Sequence, residues 1–82
     1  MTFAASGINS QRKMDKINIT ANSRPVQTAR GATLESLARE LGLNPARCVA
    51  EVNQRAVRAA DFANTKLSDG DKIEIMQIVA GG

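Results

Sequence analysis

Only one stretch of this chain has a helical period. Leu34, Leu37, Ala38 and Leu41 recur at i, i+3, i+4 and i+7, which predicts one apolar helix face. Ser36, Arg39 and Glu40 fall on the wet side. Thr33 is placed to cap the start, and Glu35 lies in the first turn, where the helix dipole favours an anion. Gly42 sits where a glycine ends a helix, and Pro45 prevents its resumption. A lone amphipathic helix must bury its stripe against another element. The remaining apolar segments are short and read as strands, so that element is a small sheet.

The strands follow from alternation. Ile17 and Ile19 alternate with Asn18 and Thr20. Ala21-Asn22-Ser23-Arg24-Pro25 supplies turn residues, and Val26 to Ala29 returns as a second strand before Gly31 breaks it. Cys48 to Asn53 reads as a short strand with Val49 and Val52 as its apolar members. Asn53-Gln54-Arg55 turns into a short edge around Val57. Ala59-Ala60-Asp61-Phe62 reads as a single helical turn, with Phe62 plugging the core. Leu67 precedes Ser68-Asp69-Gly70-Asp71, a strong turn signal, and the last strand runs from Lys72 to Val79. Ile73 and Ile75 must lie under the helix, so the last strand is expected in the centre, parallel to the first. The expected class is α+β: a β-grasp, or ubiquitin-like, fold with a small mixed sheet packed on one helix spanning about 33–41. Residues 1–14 are expected as a disordered extension, 15–79 as the β-grasp domain and 80–82 as a flexible tail.

Composition excludes several functions. Eighty-two residues make one small domain with a thin core. The chain has no histidine, one cysteine and no glycine-rich phosphate loop. The commonest general base and metal ligand is therefore absent, and one thiol makes no thiolate cluster. The domain is expected to catalyse nothing by itself and to bind no cofactor or metal. From Ile17 onward eight basic residues meet seven acidic ones, and Phe3 and Phe62 are the only aromatics. Neither a basic footprint nor a stacking platform for nucleic acid results. No stretch is long enough to span a membrane and no signal-type apolar run opens the chain, so a cytoplasmic location is expected. Cys48 fits a reducing compartment and reads as a small, semi-buried strand residue.

The functional signal lies at Val79-Ala80-Gly81-Gly82. Glycines lack Cβ and reach backbone conformations closed to other residues. Such a tail can thread a narrow slot and present a terminal carboxylate to another enzyme. Alternation sends Ile73 and Ile75 to one face of the last strand and Glu74, Met76 and Ile78 to the other. In a one-helix β-grasp that second face is open, so Met76 and Ile78, leading into Val79, Ala80 and Gly81, form a candidate partner-binding patch. Arg55 and Arg58 lie near a turn that could flank the tail and meet an acidic partner rim.

From about Ile17 to Gly82 the chain resembles the ThiS family, the sulfur carrier proteins of thiamine biosynthesis. The resemblance rests on the strand Ile17-Asn18-Ile19, the helix Thr33-Leu34-Glu35-Ser36-Leu37-Ala38, and Val52-Asn53. Its most specific part is Leu67 through Gly82, an Asp-Gly-Asp turn, one strand and a terminal Ala-Gly-Gly. The resemblance implies that a ubiquitin-activating-like adenylyltransferase (ThiF-like) adenylates Gly82 with Mg-ATP, which the partner binds. Sulfur from a donor such as a cysteine desulfurase then replaces AMP. The thiocarboxylate supplies sulfur to thiazole synthase (ThiG-like), and the free carrier is expected as a monomer. Three alternatives remain open. The MoaD family, small subunits of molybdopterin synthase, shares the chemistry, but its tails often carry prolines or a bulky aromatic where this chain has Met76-Gln77-Ile78-Val79. A ubiquitin-like protein modifier would end with Gly82 in an isopeptide bond. An RNA-binding β-grasp domain is opposed by the charge balance and the missing aromatics.

Overall fold

The computed structural model describes residues 15–79. The elements are β1 (Lys16–Ala21), β2 (Arg24–Ala29), α1 (Leu34–Glu40), β3 (Cys48–Val52), β4 (Arg55–Val57) and β5 (Lys72–Gln77). Two 3-10 turns, Pro45–Arg47 and Ala59–Asn64, link them. The strands form one mixed sheet in the order β2-β1-β5-β3-β4. β5 runs parallel to β1 and antiparallel to β3, and α1 covers one face. This is the β-grasp arrangement, with the last strand central as its isoleucines require. The expected extension over 1–14 and the tail over 80–82 lie outside the described residues.

α1 starts where its cap dictates. Thr33 is extended, its hydroxyl accepts the Ser36 N–H at 3.1 Å, and Ser36 Oγ accepts the Thr33 N–H at 3.0 Å. That is a reciprocal capping box built with serine. Leu34, Leu37 and Ala38 are fully buried. Leu41, expected on the same stripe, is instead exposed. It is the C-cap, and Gly42 at φ +80° turns the chain away before another helical residue can form. Glu40, on the wet side of the pattern, ties the helix to the sheet edge. Its carboxylate accepts the hydroxyl of buried Thr28 on β2 at 3.0 Å.

Both hairpins close with two-residue turns, shorter than the sequence suggests. Asn22 and Ser23 join β1 to β2 with φ of 52° and 70°, and Asn53 and Gln54 join β3 to β4 with φ of 53° and 71°. Left-handed residues at both central positions match the twist of the flanking strands. Pro25 and Arg55, expected in turns, are strand residues. Pro25 is tolerated because β2 is an edge strand.

Each turn also delivers an asparagine side chain to β5. Asn22 Nδ2 donates to the Ile75 carbonyl, and its Oδ1 accepts the Ile75 N–H, both at 2.9 Å. Asn53 Oδ1 accepts the Lys72 N–H at 2.9 Å, and its Nδ2 donates to Asp71 Oδ1 at 2.9 Å. The backbone ladder between β1 and β5 pairs only Thr20 with Lys72 and Ala21 with Ile73. The Asn22 amide imitates a peptide group and extends that ladder by one step.

The core gathers Ile17, Ile19, Leu34, Leu37, Ile73, Ile75 and Phe62, each at most 4 % exposed. Phe62 closes it from the 3-10 turn, as its status as the one aromatic beyond Phe3 suggested. β3 forms where the strand was expected. Its inward residues are Cys48 and Ala50, whereas Val49 is 45 % exposed and Val52 half-buried. With Cys48 and Ala50 inward, strict alternation turns Val49 outward. β5 also ends at Gln77 rather than Val79, although the Ile78 N–H still donates to the Arg47 carbonyl at 2.8 Å.

Two outcomes test this packing. Phe62→Ala should destabilise the domain by about 3–5 kcal/mol in chemical denaturation, a large share of the stability of a chain this size. Asn22→Gly keeps the left-handed turn but removes the amide. It should cost about 1–2 kcal/mol and sharply raise hydrogen exchange at the Ile75 N–H while Ile73 stays protected.

Candidate functional site

The end of β5 sets the geometry of the site. On its β1 side the strand is held at Ile75 by Asn22. On its β3 side Met76 pairs with Val49, and Ile78 is held by Arg47. Gln77 Oε1 accepts the Asn44 N–H at 2.8 Å, tying the same segment to the loop after α1. The Ile78 N–H is the last backbone donor fixed among the described residues, and Val79 beyond it is 83 % exposed. Ala80, Gly81 and Gly82 lie outside the described residues.

The sheet face opposite α1 has no covering element among the described residues. Met76 is 64 % exposed and Ile78 54 %, in the outward orientation that alternation requires. Val49 joins them as the direct cross-strand neighbour of Met76. A groove of about 480 Å³ runs beside this pair, bounded by Asn22, Glu51, Ala56 and Glu74. The face is graded: polar Asn18, Thr20 and Gln27 at one end, carboxylates in the middle, apolar side chains where β5 leads into the tail.

The arginines expected to rim the tail are placed differently. Arg58 pairs with Asp61 at 3.7 Å beside the 3-10 turn. Arg55 lies on edge strand β4, opposite Val52, with the parity of the covered face. Glu51 and Glu74 stand next to Val49 and Met76 along the same face, and exposed Arg47 lies opposite Ile78 at the strand end. Cys48 is 3 % exposed, and its thiol donates to the Asn44 carbonyl at 3.3 Å. Burial pushes its pKa up from 9.0, which keeps it a neutral, unreactive thiol. Among the described residues no group of three acidic or cysteine side chains is arranged to hold a metal, and no helix is long and apolar enough to cross a membrane.

Three features here were missed from sequence. Val49 was read only as an apolar member of its strand, and its part in the open face was not seen. Asn22 read as a generic turn residue, and nothing local links it to Ile75. Glu51 and Glu74 meet only once the register between β3 and β5 is known.

Known proteins with this arrangement include sulfur carriers. The chain is 32% identical over 66 residues to the sulfur carrier protein ThiS of Escherichia coli (strain K12), an alignment covering 80% of this chain and 100% of that protein. It is 33% identical over 66 residues to an uncharacterized protein, ycf40, of Porphyra purpurea, covering 80% of this chain and 93% of that one. In three dimensions it superposes on the crystal structure of the thiamine biosynthesis protein ThiS from Geobacter metallireducens with a TM-score of 0.66. That match has 26% identity and covers 80% of this chain and 100% of the other. The sequence model of the ThiS family matches residues 15–82, which include every described element and the glycine tail, and the chain belongs to that family.

Proposed function

We propose that this chain is a sulfur carrier for thiamine biosynthesis, and that the Gly82 carboxylate is the group that carries the sulfur. The observation that carries this reading is the family match through Gly82, on a chain whose central strand leads directly into that tail. The protein is a co-substrate rather than an enzyme. It offers no general base of the usual kind, and its one thiol is buried.

The chemistry follows from what a carboxylate lacks. Its charge repels nucleophiles and oxide is not a leaving group. A ThiF-like adenylyltransferase, supplying Mg-ATP and the phosphate contacts, joins a carboxylate oxygen to the α-phosphate and releases pyrophosphate. The terminal sulfur of a persulfide, such as that of a cysteine desulfurase, attacks the acyl carbon and AMP departs. A second thiol cleaves the S–S bond and leaves the thiocarboxylate, which a ThiG-like thiazole synthase consumes. These steps belong to the cytoplasm, where ATP is available and Cys48 stays reduced.

This chain contributes reach, slimness and a docking face. Among the described residues the last fixed donor is at Ile78, and four extended residues beyond it would span at most about 14 Å. That is enough to place Gly82 in a cleft while the body stays outside. Ala80 and Gly81 keep the thread thin, and Val79, Ile78 and Met76 seat the carrier on its partner. Met76 adapts to two successive partners because its side chain is unbranched and polarizable.

Gly81→Val puts a branched side chain at the narrowest part of the thread. It should leave the melting temperature unchanged and lower ATP–pyrophosphate exchange by the activating enzyme at least about a hundredfold, the scale of a misplaced reacting group. Exchange at the wild-type rate would refute the threading argument.

A further inference from the structure

The open face of the sheet is acidic as well as apolar. The register between β3 and β5 sets Glu51 directly opposite Glu74, one step along from Val49 opposite Met76. Ala56 of β4 stands opposite Glu51 on its other side. Like charges facing each other across an antiparallel pair are destabilising. Both glutamates are exposed, and neither makes an ion pair: the ion pairs among the described residues join Arg39 to Glu35 and Arg58 to Asp61. Lys72 lies two residues before Glu74 and shares with both carboxylates a hollow of about 130 Å³, but it pairs with neither.

Two solvated carboxylates alone would mean little. Here they sit at the edge of the groove of about 480 Å³ whose other wall is Val49 and Met76, with Ala56 beside Glu51 and the turn residues Asn22 and Ser23 also lining it. The groove is therefore apolar along one side and doubly negative at one end. Charge complementarity selects the occupant. A second copy of this chain laid face to face would gather four carboxylates. Nucleic acid or an anionic membrane would be repelled. A side chain with an apolar stem and a cationic head fits both parts of the groove. Arginine fits better than lysine, because its planar fork donates to two carboxylates at once and its stem lies flat on apolar surface.

Resting on the carrier reading above, we propose that this groove receives an arginine of the adenylate-forming partner. Its stem lies against Val49 and Met76, and its guanidinium sits between Glu51 and Glu74. The repulsion that the free carrier tolerates becomes attraction in the complex. It also fixes the rotation of the carrier about the β5 axis, and so the direction in which the tail enters. Specificity comes from the same pair, since a partner surface with an acidic residue at that point would be rejected.

The test is the double variant Glu51→Gln, Glu74→Gln in the full chain, with binding to the activating enzyme measured at low and at high salt. Its melting temperature should equal or exceed that of the wild type, because repulsion has been removed; a lower one would contradict the account of the pair. The dissociation constant at low salt should rise at least about tenfold, with most of the change in association rate, and the difference should shrink at high salt. In the adenylation assay KM should rise while kcat at saturating carrier stays unchanged. A dissociation constant and salt dependence within about twofold of wild type would overturn the inference. Self-association of the wild type that the double variant strengthens would do so as well, by showing a second copy on this face. If the activating enzyme adenylates the wild type and the double variant equally, this inference alone fails. If it adenylates neither, the carrier reading fails and this inference falls with it.

Discussion

Everything in this molecule depends on β5 lying in the middle of the sheet. Ile73 and Ile75 are buried beneath α1, and burying each stabilises the domain by roughly 1.5–3 kcal/mol. In an 82-residue chain whose total stability is on the order of 5–10 kcal/mol, that contribution is large. Yet the backbone pairing of β5 with β1 is brief. The turn asparagine Asn22 extends it at Ile75, and on the opposite side Asn53 holds β5 at Lys72 beside β3. The hairpins therefore do more than reverse the chain. Their left-handed turns aim amide side chains at the strand that leads to the tail.

In the proposed function the body positions the strand end and the chemistry belongs to the tail beyond it. The body holds β5 as far as the Ile78 N–H, with Gln77 fastened to Asn44 and Met76 paired with Val49. Chemistry on the terminal carboxylate needs reach and a slim thread, not catalytic side chains. The proposed role is therefore compatible with a sequence that has no histidine and one buried cysteine. The parts that a partner would read are the open face and the strand end, and both are positioned by the same strand that anchors the core.

Much of the fold was legible because its signals are local. The capping threonine, the glycine after the helix and the alternation of Ile17, Ile19, Ile73 and Ile75 act over a few residues, and the central placement of β5 follows from them. Phe62 was legible for a different reason: a core this thin has few large side chains to choose from. The failures have physical causes of two kinds. Leu41 was misassigned because apolarity was read without the constraint that overrides it, a helix stop. Arg55 and Arg58 were given a place near the tail that the β4 edge and the Asp61 ion pair do not support. The Asn22–Ile75 and Glu51–Glu74 juxtapositions are set by strand register between segments far apart in sequence, which composition and periodicity do not encode.

The central claim is that Gly82 becomes a thiocarboxylate. The most direct measurement is mass spectrometry of the full chain after incubation with the activating enzyme, Mg-ATP and a persulfide donor, with the product trapped by a thiol alkylator. Trapping matters because exchange of oxygen for sulfur adds nearly the same mass as oxidation of Met76 or another methionine. The account predicts one alkyl group, dependent on ATP, localised by fragmentation to Gly82. Alkylation confined to Cys48, or an adenylate that forms and never accepts sulfur, would contradict it.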